Sequence, residues 1–322
     1  MAKWLSCDTG LQIKGASNLV PPRIVTFQRT IAAVMVVLAL LVPYHAMAQG
    51  DTWPRRVLIT NDNGISDVAT QALARSFANT ADVVLVAPSE DRSGTSNLMS
   101  FTRTGRFVVE RLDIGEGIRA WALDGYPADC VVFAVAGPMA EELPDLVVSG
   151  INGGANMADE WFGSGTIAAA RTAAFLGIPA IAVSGIDDDD PEAVAAVVDW
   201  VVRLARSPIM QRVQPPSYLT ISLPVGPPSQ ITGIEVVDRA RGLLGGVAWL
   251  DEAASQAAGK EVWSIEIEAQ GQPDADSDVA AVARRRIALV PMRVGDADLE
   301  TLDWLRTNEG LLPPWPQLPP ER

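Results

Sequence analysis

The fold is decided by one stretch, Val57-Leu58-Ile59-Thr60-Asn61-Asp62-Asn63-Gly64-Ile65. Its first half is a short aliphatic run, which is typical of a strand buried in a parallel sheet. Its second half places a carboxylate and two amides on a glycine turn at the end of that strand. Hard oxygen donors at the edge of a sheet predict a metal or phosphate site, with Asp62 as the anionic ligand. An Asp-Asn-Gly sequence taken alone is more often an ordinary turn.

Outward from this stretch, short Val/Ile/Leu runs alternate with longer Ala-rich amphipathic segments. This alternation predicts βα units and a Rossmann-like, three-layer α/β core with a parallel sheet. The predicted strands are 56–60, 82–87, 145–149, 178–183 and 218–223, and the predicted helices are 67–79, 127–140, 165–176 and 190–206. The section 105–123 predicts an inserted strand pair at 107–110 and 120–123.

Beyond residue 230 the pattern changes to strand-like pieces, at 233–237 and 262–267, separated by glycine-rich turns. We expect a C-terminal β-hairpin and helix extension that joins subunits, although a plain surface hairpin fits the pattern equally well. Further predictions are a helix from Ser277-Asp278 through Arg286, a strand at 287–290, a helix at 297–306 and an unstructured proline-rich tail. The predicted domains are a leader (1–48), a catalytic core (49–230), the extension (231–310) and the tail (311–322).

The N-terminal segment has the organisation of an export signal. Arg23 and Arg29 precede an apolar run at 31–42, and the small residues of Ala46-Met47-Ala48 follow it. We expect cleavage after Ala48, export to the periplasm and no membrane attachment afterwards. An uncleaved anchor is the alternative, but the run is shorter than the roughly 20 residues that a span needs. Residues 1–22 make the leader unusually long, which suggests a start codon placed too far upstream.

Composition limits the function. The 322 residues are 48% hydrophobic and 20% charged, enough for one large core or a main domain with an appendage. The net charge is −14; residues 1–48 hold four Lys/Arg and one Asp, so the remaining 21 basic and 38 acidic residues give −17. An acidic body argues against a nucleic-acid polymer as partner, because Lys and Arg supply the affinity for phosphate backbones.

Histidine and cysteine are almost missing from the expected mature chain. His45, the only histidine, lies in the leader, which excludes histidine-based triads and His-ligated zinc. Cys7 lies there too, so Cys130 would remain as a single thiol without an internal disulfide. We interpret Cys130 as a core residue, the alternative being a nucleophile that has no histidine to activate it. Any metal must then have oxygen ligands, which favours magnesium, manganese or calcium.

Four polar clusters follow predicted strands or begin predicted helices, and the carboxyl ends of parallel strands share one edge of the sheet. Each alone has a simpler explanation as a turn, an accommodating loop or a helix cap. Together they predict metal-assisted hydrolysis of a phosphate ester, because Asp62 and neutral oxygens suit a hard cation and a helix start suits a phosphate. The clusters are Asn61-Asp62-Asn63-Gly64, the loop 87–96, the segment 149–156 and Gly163-Ser164-Gly165-Thr166.

Five motifs resemble those of the survival protein SurE family, in the family's order, over residues 56–223. They are the strand followed by Thr60-Asn61-Asp62-Asn63-Gly64-Ile65, Ala87-Pro88 with Ser93-Gly94, Asp124-Gly125 with Pro127-Ala128-Asp129-Cys130, the segment 144–156 and the segment 164–184. The resemblance implies a metal-dependent 5'/3'-nucleotidase with broad phosphomonoesterase activity, in which the ion activates water. The resemblance also implies a homodimer or homotetramer, but the match thins beyond residue 223, where the hairpin is short and divergent.

The resemblance also implies roles for individual residues. One divalent ion per subunit, Mg²⁺ or Mn²⁺ with Ca²⁺ as a substitute, would be held by Asp62, Asn63, Ser93 and Asn152. Asp62 and Asn63 would carry the catalysis; Asp62 could act as a base, but ligation is its more natural role. The substrate would be a nucleoside monophosphate or another small phosphomonoester. Its phosphate would be received by Ser164, Gly165 and Thr166, with Asn61 and Asn156 lining the same crevice.

This chain departs from the family at Asn63, where the family carries a second aspartate. An amide offers a carbonyl oxygen but no charge, so we expect weaker metal affinity, with activity retained at millimolar magnesium or manganese. One alternative is a catalytically weakened SurE-like protein that only binds phosphate-bearing ligands. Another is a haloacid-dehalogenase-like phosphatase with Asp62 as nucleophile, but that class expects a second aspartate at position 64, where this chain has glycine.

Overall fold

The computed structural model describes residues 53–187, 189–241, 244–269 and 272–295, together with positions 304 and 307. The strands are β1 (Arg56–Thr60), β2 (Asp82–Pro88), β3 (Val109–Leu112), β4 (Ile118–Leu123), β5 (Leu146–Asn152), β6 (Ala180–Ser184), β7 (Ser217–Ser222), β8 (Gly233–Val236), β9 (Leu244–Leu250), β10 (Trp263–Ala269) and β11 (Arg286–Arg293). The helices are α1 (Val68–Ala78), α2 (Phe101–Thr104), α3 (Pro127–Ala136), α4 (Gly165–Phe175), α5 (Pro191–Ala205), α6 (Glu252–Ala258) and α7 (Asp278–Ala283).

A nine-stranded sheet forms the centre, in the order β3-β4-β2-β1-β5-β6-β7-β11-β8. The six strands from β4 to β7 are parallel, whereas β3 and β11 run antiparallel to their inner neighbours. From β1 the chain builds β2 and β4 on one side, then returns to place β5, β6 and β7 on the other. The order therefore reverses between β1 and β5, and such a switch point opens a crevice at the carboxyl ends of the strands.

Helices cover both faces of the sheet and make three layers. On one face α3 and α4 pack together over a fully buried apolar cluster that includes Leu58, Val84 and Val147. Alternate strand residues point to the other face, where α1 and α5 pack against each other. The predicted three-layer α/β core is confirmed, and its central strands are continuous apolar runs because both faces are buried.

The predicted inserted strand pair is part of the main sheet. The strand β4 pairs with β2 in parallel, and β3 pairs with β4 as the antiparallel edge. The sequence pattern could not show this, because the partner of a short strand is set by tertiary packing. Most residues of β3 are exposed, which agrees with its position at the edge of the sheet.

The strands of the predicted C-terminal extension are divided between the main sheet and a separate hairpin. The strand β8 pairs in parallel with β11, and β11 pairs with β7, so both belong to the main sheet although they lie beyond residue 230. Only β9 and β10, joined by α6, form a separate two-stranded hairpin. The helix predicted through Arg286 ends at Ala283, because Arg285 takes a positive φ of 62° and Arg286 already starts β11.

Cys130 lies fully buried in α3, as the core interpretation predicts. Burial raises the pKa of its thiol well above the ordinary value, and the neighbouring Asp129 acts in the same direction. Among the described residues, no helix has the length and apolar character needed to cross a membrane. The predicted leader, the proline-rich tail and all but position 304 of the helix at 297–306 lie outside the described residues.

Candidate active site

A cleft of about 530 Å³ lies at the carboxyl ends of β1 and β5, beside the start of α4. This is the switch point of the sheet, the place where parallel α/β folds bind ligands. Residues from all four polar clusters named in the sequence analysis line this cleft, which is the convergence that we predicted from their positions. The lining residues are Asp62, Ser93, Gly94, Asn152, Gly154, Ala155, Asn156, Asp159, Glu160, Phe162, Gly163 and Ser164.

Asp62 is the buried carboxylate of this cleft, with only 3% of its surface exposed. Its Oδ1 accepts a hydrogen bond of 2.5 Å from the Thr166 hydroxyl. Burial raises the pKa of Asp62, while the Thr166 hydroxyl and the backbone N–H groups of Asp62 and Thr166 oppose the rise. The nearby carboxylate of Asp91 raises the pKa further. An ionised Asp62 is thus costly to bury without a positive partner, which is the situation of a cation ligand.

Gly165 allows the close approach of Asp62 to α4. A Cβ at position 165 would lie 2.8 Å from both Cβ and Oδ2 of Asp62, and 3.1 Å from Cγ of Pro127. Any other residue would push the carboxylate away from the helix start. The positive end of the α4 dipole therefore faces Asp62 and stabilises its negative charge.

The turn that carries Asp62 is fixed on both sides. The side chain of Asn61 is fully buried; its Nδ2 donates to the Gly64 carbonyl (2.9 Å) and to Thr70 Oγ1 (2.8 Å), and its Oδ1 accepts from the Gly64 N–H (3.1 Å). The carbonyl of Asp62 accepts from the Arg92 N–H at 2.7 Å. The structure therefore places Asn61 inside the turn, where it supports Asp62, and not on the lining of the cleft.

Asn63 is held by a residue that the sequence analysis did not single out. Its Nδ2 donates to Asp67 Oδ2 at 3.2 Å, and the other oxygen of Asp67 accepts from the Thr70 N–H at 2.6 Å as the cap of α1. This hydrogen bond fixes which end of the Asn63 amide faces Asp67. The opposite atom, Oδ1, is buried and has no hydrogen-bond partner within the described part of the chain. A buried, unsatisfied carbonyl oxygen fits a cation ligand.

Ser93 lies on the next loop, where Asp91 orients it. Its hydroxyl donates to Asp91 Oδ1 at 2.7 Å, and its backbone N–H donates to the same oxygen at 2.8 Å. The Ser93 hydroxyl proton therefore points toward Asp91, and the lone pairs of the Ser93 oxygen remain to accept a hydrogen bond or bind a cation. Asp91 also adds negative charge close to Asp62 without lining the cleft itself.

Asn152 and Asn156 line the side of the cleft formed after β5. Asn152 donates from Nδ2 to the Gly154 carbonyl at 2.5 Å, which leaves the amide oxygen as the atom that a cation would use. The backbone of Asn156 is tied to the ends of β6 and β7 through Ser184 and Ser222. Its Nδ2 is buried and lacks a hydrogen-bond partner among the described residues, so it is a free donor at the cleft.

The start of α4 supplies donors as well as the contact with Asp62. Ser164 is its N-cap: the Ser164 Oγ accepts from the Ile167 N–H at 3.1 Å, which leaves the hydroxyl proton available to a ligand. Thr166 is fully buried and its hydroxyl donates a hydrogen bond to Asp62, so its side chain positions the carboxylate. Neither Gly165 nor Thr166 lines the cleft, and the donor left at Gly165 is its backbone N–H.

The described residues contain no group of three or more His, Cys, Asp or Glu side chains placed to hold an ion. A metal here would depend on one carboxylate and several neutral oxygens. The free Oδ1 of Asn63 and the buried charge of Asp62 both fit such an ion. The residues therefore agree with a hard divalent cation of moderate affinity.

The C-terminal part of the chain holds the outer wall of the cleft, which the sequence analysis missed. Asp278 is 3% exposed, and its Oδ2 accepts from the Ala158 N–H at 2.9 Å while Oδ1 accepts from the Ala240 N–H at 2.9 Å. Arg239 donates from Nη1 to the Ala158 carbonyl (3.0 Å) and to Asp159 Oδ1 (2.9 Å). The short helix Ala158–Phe162 is thus anchored on α7 and on the segment that follows β8. We name Asp278 and Arg239 the wall clamp.

The sequence analysis identified Asp278 only as part of a helix cap, since a buried acceptor for a distant loop leaves no local pattern. Asp67 was recognisable as the cap of α1, but its contact with Asn63 depends on the turn geometry. Trp161-Phe162 could have been noticed as an aromatic pair just before the predicted phosphate site.

This arrangement defines a class: an α/β protein with a doubly wound sheet, whose switch-point cleft joins a buried carboxylate to the start of a helix among neutral oxygen donors. Within that class, the family model described as survival protein SurE matches residues 57–244. The chain belongs to the SurE family.

Relatives of known name cover most of the chain. The 5'-nucleotidase SurE of Methylobacillus flagellatus is 34% identical over 245 residues, which are 74% of this chain and 93% of that protein. The 5'-nucleotidase SurE 1 of Burkholderia lata is 33% identical over 265 residues, 79% of this chain and 96% of that protein. The SurE crystal structure from Aquifex aeolicus matches with a TM-score of 0.63 and 26% identity, covering 79% of this chain and 99% of that one.

The wall clamp gives a first testable prediction. In Asp278→Asn, one backbone N–H faces an amide nitrogen in place of an oxygen, which costs about 1–3 kcal/mol for a buried unsatisfied donor. We expect a lower melting temperature and a KM raised several-fold, because the wall at 158–162 loses its anchor. The measurements are thermal unfolding and steady-state kinetics with a phosphomonoester.

The control is Glu235→Gln, which weakens the ion pairs of Glu235 with Arg284 and Arg286 in the same C-terminal part without touching the cleft. It is expected to reduce stability and leave KM unchanged. If Asp278→Asn lowered only the melting temperature, the clamp would have no part in shaping the cleft.

Proposed function

We propose that this protein is a divalent-metal-dependent 5'-nucleotidase that hydrolyses nucleoside 5'- and 3'-monophosphates and other small phosphomonoesters. The names of its relatives support the nucleotidase activity. The observation that carries the proposal for this chain is the buried Asp62 against the start of α4, with oxygen donors from three other loops around it.

The proposed cation site uses Asp62, Asn63, Ser93 and Asn152. Three of the four line the cleft, and Asn63 offers a buried oxygen without another partner. Oxygen-only donors and one full charge favour Mg²⁺ or Mn²⁺, with Ca²⁺ able to occupy the same place. A bound divalent ion would polarise a phosphoryl oxygen and make water a better nucleophile at neutral pH.

The substrate phosphate is proposed to lie between this site and the start of α4. Ser164 can donate its hydroxyl proton, Asn156 its free Nδ2 and Gly165 its backbone N–H to the non-bridging oxygens. These donors are fixed before the substrate arrives, so they can stabilise the charge that grows on phosphorus-bound oxygens in the transition state. The positive end of the α4 dipole lies at the same place and adds to the stabilisation of this charge.

Asp62 is proposed as a ligand more than as a base. Its carboxylate already accepts from Thr166, and a bound cation would lower its proton affinity further. Thr166 keeps that carboxylate in one orientation. Asn61 holds the same turn through hydrogen bonds to Gly64 and Thr70, so its role is to position Asp62.

Two other readings compete with this proposal. A SurE-like protein weakened by Asn63 would bind phosphate-bearing ligands without turning them over. A covalent phosphatase would use Asp62 as nucleophile, but the carboxylate is buried against Gly165 and position 64 is a glycine with a φ of 105°. Both remain outcomes of the test below.

We further propose that the protein is exported to the periplasm after cleavage behind Ala48. The basic, apolar and small-residue regions of the leader support it. N-terminal sequencing of the mature protein from fractionated cells tests it, and an uncleaved chain in the cytosol would contradict it.

Subunit association is proposed through the hairpin of β9 and β10. Directly opposite residues of an antiparallel pair share a face, so Trp263 with Leu250, Ile265 and Ile267 lie on one side. All four are exposed in a single chain, and exposed apolar surface of this kind marks an interface. A homodimer or a homotetramer would bury it.

The function is tested by turnover of p-nitrophenyl phosphate and a panel of nucleoside monophosphates, with and without EDTA. We expect activity that EDTA abolishes and Mg²⁺ or Mn²⁺ restores, and a loss of at least a hundredfold in Asp62→Asn. Asp113→Asn, in an exposed loop, serves as the control. No turnover with any metal would favour the binding protein, and loss in Asp62→Asn without sensitivity to EDTA would favour the covalent scheme.

The amide at position 63 gives a second prediction. Asn63→Asp restores a carboxylate toward the ion but places it beside Asp67, where like charges repel. The double variant Asn63→Asp/Asp67→Asn keeps the hydrogen bond with donor and acceptor exchanged. We expect it to lower the metal concentration for half activity on the order of tenfold, which corresponds to about 1.4 kcal/mol, and the single variant to lower it less.

Metal titration by calorimetry and by activity provides the measurement, with Asp67→Asn alone as the control. An unchanged half-activation concentration in the double variant would show that the Asn63 oxygen does not contact the ion.

The hairpin gives a third prediction. Ile265, 64% exposed, is replaced by lysine, which places a charge on the proposed interface. We expect a shift toward monomer in light scattering after size exclusion. Val68→Lys changes a comparably exposed residue on α1 and is expected to leave the mass unchanged. A wild-type monomer, or an Ile265→Lys oligomer of wild-type mass, would contradict the assignment.

A further inference from the structure

Phe162 is an aromatic ring left open at the rim of the candidate active site. It lines the cleft together with Asp62 and Ser164, and 71% of its surface is exposed. Keeping a phenyl ring in water forgoes the stabilisation that burial would provide. An exposed ring beside a ligand cleft is therefore a candidate contact for an apolar part of the ligand.

The backbone that carries this ring is fixed from two sides. On one side the Ser96 hydroxyl donates to the Phe162 carbonyl at 2.7 Å, and the Ser96 N–H donates to the Gly163 carbonyl at 2.9 Å. On the other side the N–H groups of Gly163 and Ser164 donate to the Glu160 carbonyl. The ring thus projects from an ordered support, so contact with a ligand would require little additional ordering of the backbone.

A second aromatic residue supports the ring from behind. The centroid of Trp161 lies 6.0 Å from that of Phe162, with an angle of 41° between the planes. The guanidinium groups of Arg171 and Arg239 each lie 5.1 Å from the Trp161 ring. Arg239 therefore contacts both the cleft wall, through its hydrogen bonds to Ala158 and Asp159, and the Trp161 ring that supports Phe162.

The position of Phe162 relative to Ser164 identifies the kind of ligand. Only Gly163 separates them, so their Cα atoms lie at most about 7.6 Å apart. A nucleoside monophosphate carries its base one ribose away from its phosphate, and a phosphate at Ser164 leaves the base within reach of this ring. Glu160 also lines the cleft, and its carboxylate can accept hydrogen bonds from ribose hydroxyls.

We propose that Phe162 is the base-stacking residue of this cleft and gives it preference for nucleoside monophosphates over phosphomonoesters without a base. The inference rests on the proposed function, since it takes the phosphate site at Ser164 as given. It adds a specificity-determining residue that does not touch the reacting atoms.

The experiment compares Phe162→Ala with wild type on adenosine 5'-monophosphate and on glycerol 2-phosphate. The ratio of kcat/KM for the nucleotide to kcat/KM for the glycerol ester is expected to fall about tenfold, within the range that loss of one base–aromatic contact produces. Phe162→Trp is expected to preserve the ratio. Phe175→Ala, whose ring is 74% exposed at the end of α4, serves as the matched control and is expected to leave the ratio unchanged.

Binding provides a readout that does not depend on turnover. Calorimetry with the Asp62→Asn variant measures affinity for adenosine 5'-monophosphate and for inorganic phosphate, with and without Phe162→Ala. We expect only the affinity for the nucleotide to fall. An unchanged ratio of kcat/KM, or equal loss of affinity for both ligands, would overturn the stacking role. Absence of all turnover with intact nucleotide binding would instead refute the proposed function and leave the stacking inference to the calorimetry.

Discussion

The contact between the Asp62 carboxylate and the start of α4 is the constraint on which the site depends. A buried carboxylate is unfavourable unless donors or positive charge surround it. Here the Thr166 hydroxyl and the positive end of the helix supply part of that stabilisation, and Gly165 makes the close approach possible. The pKa of Asp62 remains raised, because burial outweighs these contributions. The site is therefore incompletely neutralised by the protein, and a cation is the natural complement.

Stability and site geometry are linked through distant parts of the chain. The wall of the cleft at 158–162 reaches the apolar core through Trp161 and packs Ala158, which takes a positive φ of 47°, with Ala240. Asp278 in α7 and Arg239 in the segment after β8 hold the wall through hydrogen bonds to Ala158. Since β8 reaches the main sheet only through β11, the strands beyond residue 230 contribute to the cleft as well as to the core. A division into catalytic core and C-terminal extension separates parts that work together.

How much the sequence predicted depends on whether the signal was local. The central strands and the helices α1, α3, α4 and α5 have clear periodicity and caps, so their positions followed from pattern alone. Asp62 was found because it ends a buried strand. Other contacts depend on tertiary structure, and short-range sequence patterns do not predict them. These are the pairing of β4 with β2, the wall clamp and the contact of Asp67 with Asn63. The exposed ring of Phe162 was in the sequence, but its exposure was not.

The distribution of negative charge explains how an amide can stand at position 63. Two adjacent carboxylates about 4 Å apart would repel each other by about 4 kcal/mol at an effective dielectric constant of 20. This chain instead places single carboxylates at positions 62, 67 and 91: Asp62 accepts from the Thr166 hydroxyl of α4, whereas Asp67 and Asp91 accept from backbone N–H groups close to them in sequence. Asp67 and Asp91 orient Asn63 and Ser93 as neutral oxygen donors, and the charge of Asp91 still acts on Asp62 from outside the cleft. The protein thus avoids much of the repulsion between paired carboxylates, and a divalent ion bound at the proposed site would be attracted less strongly than by two carboxylates.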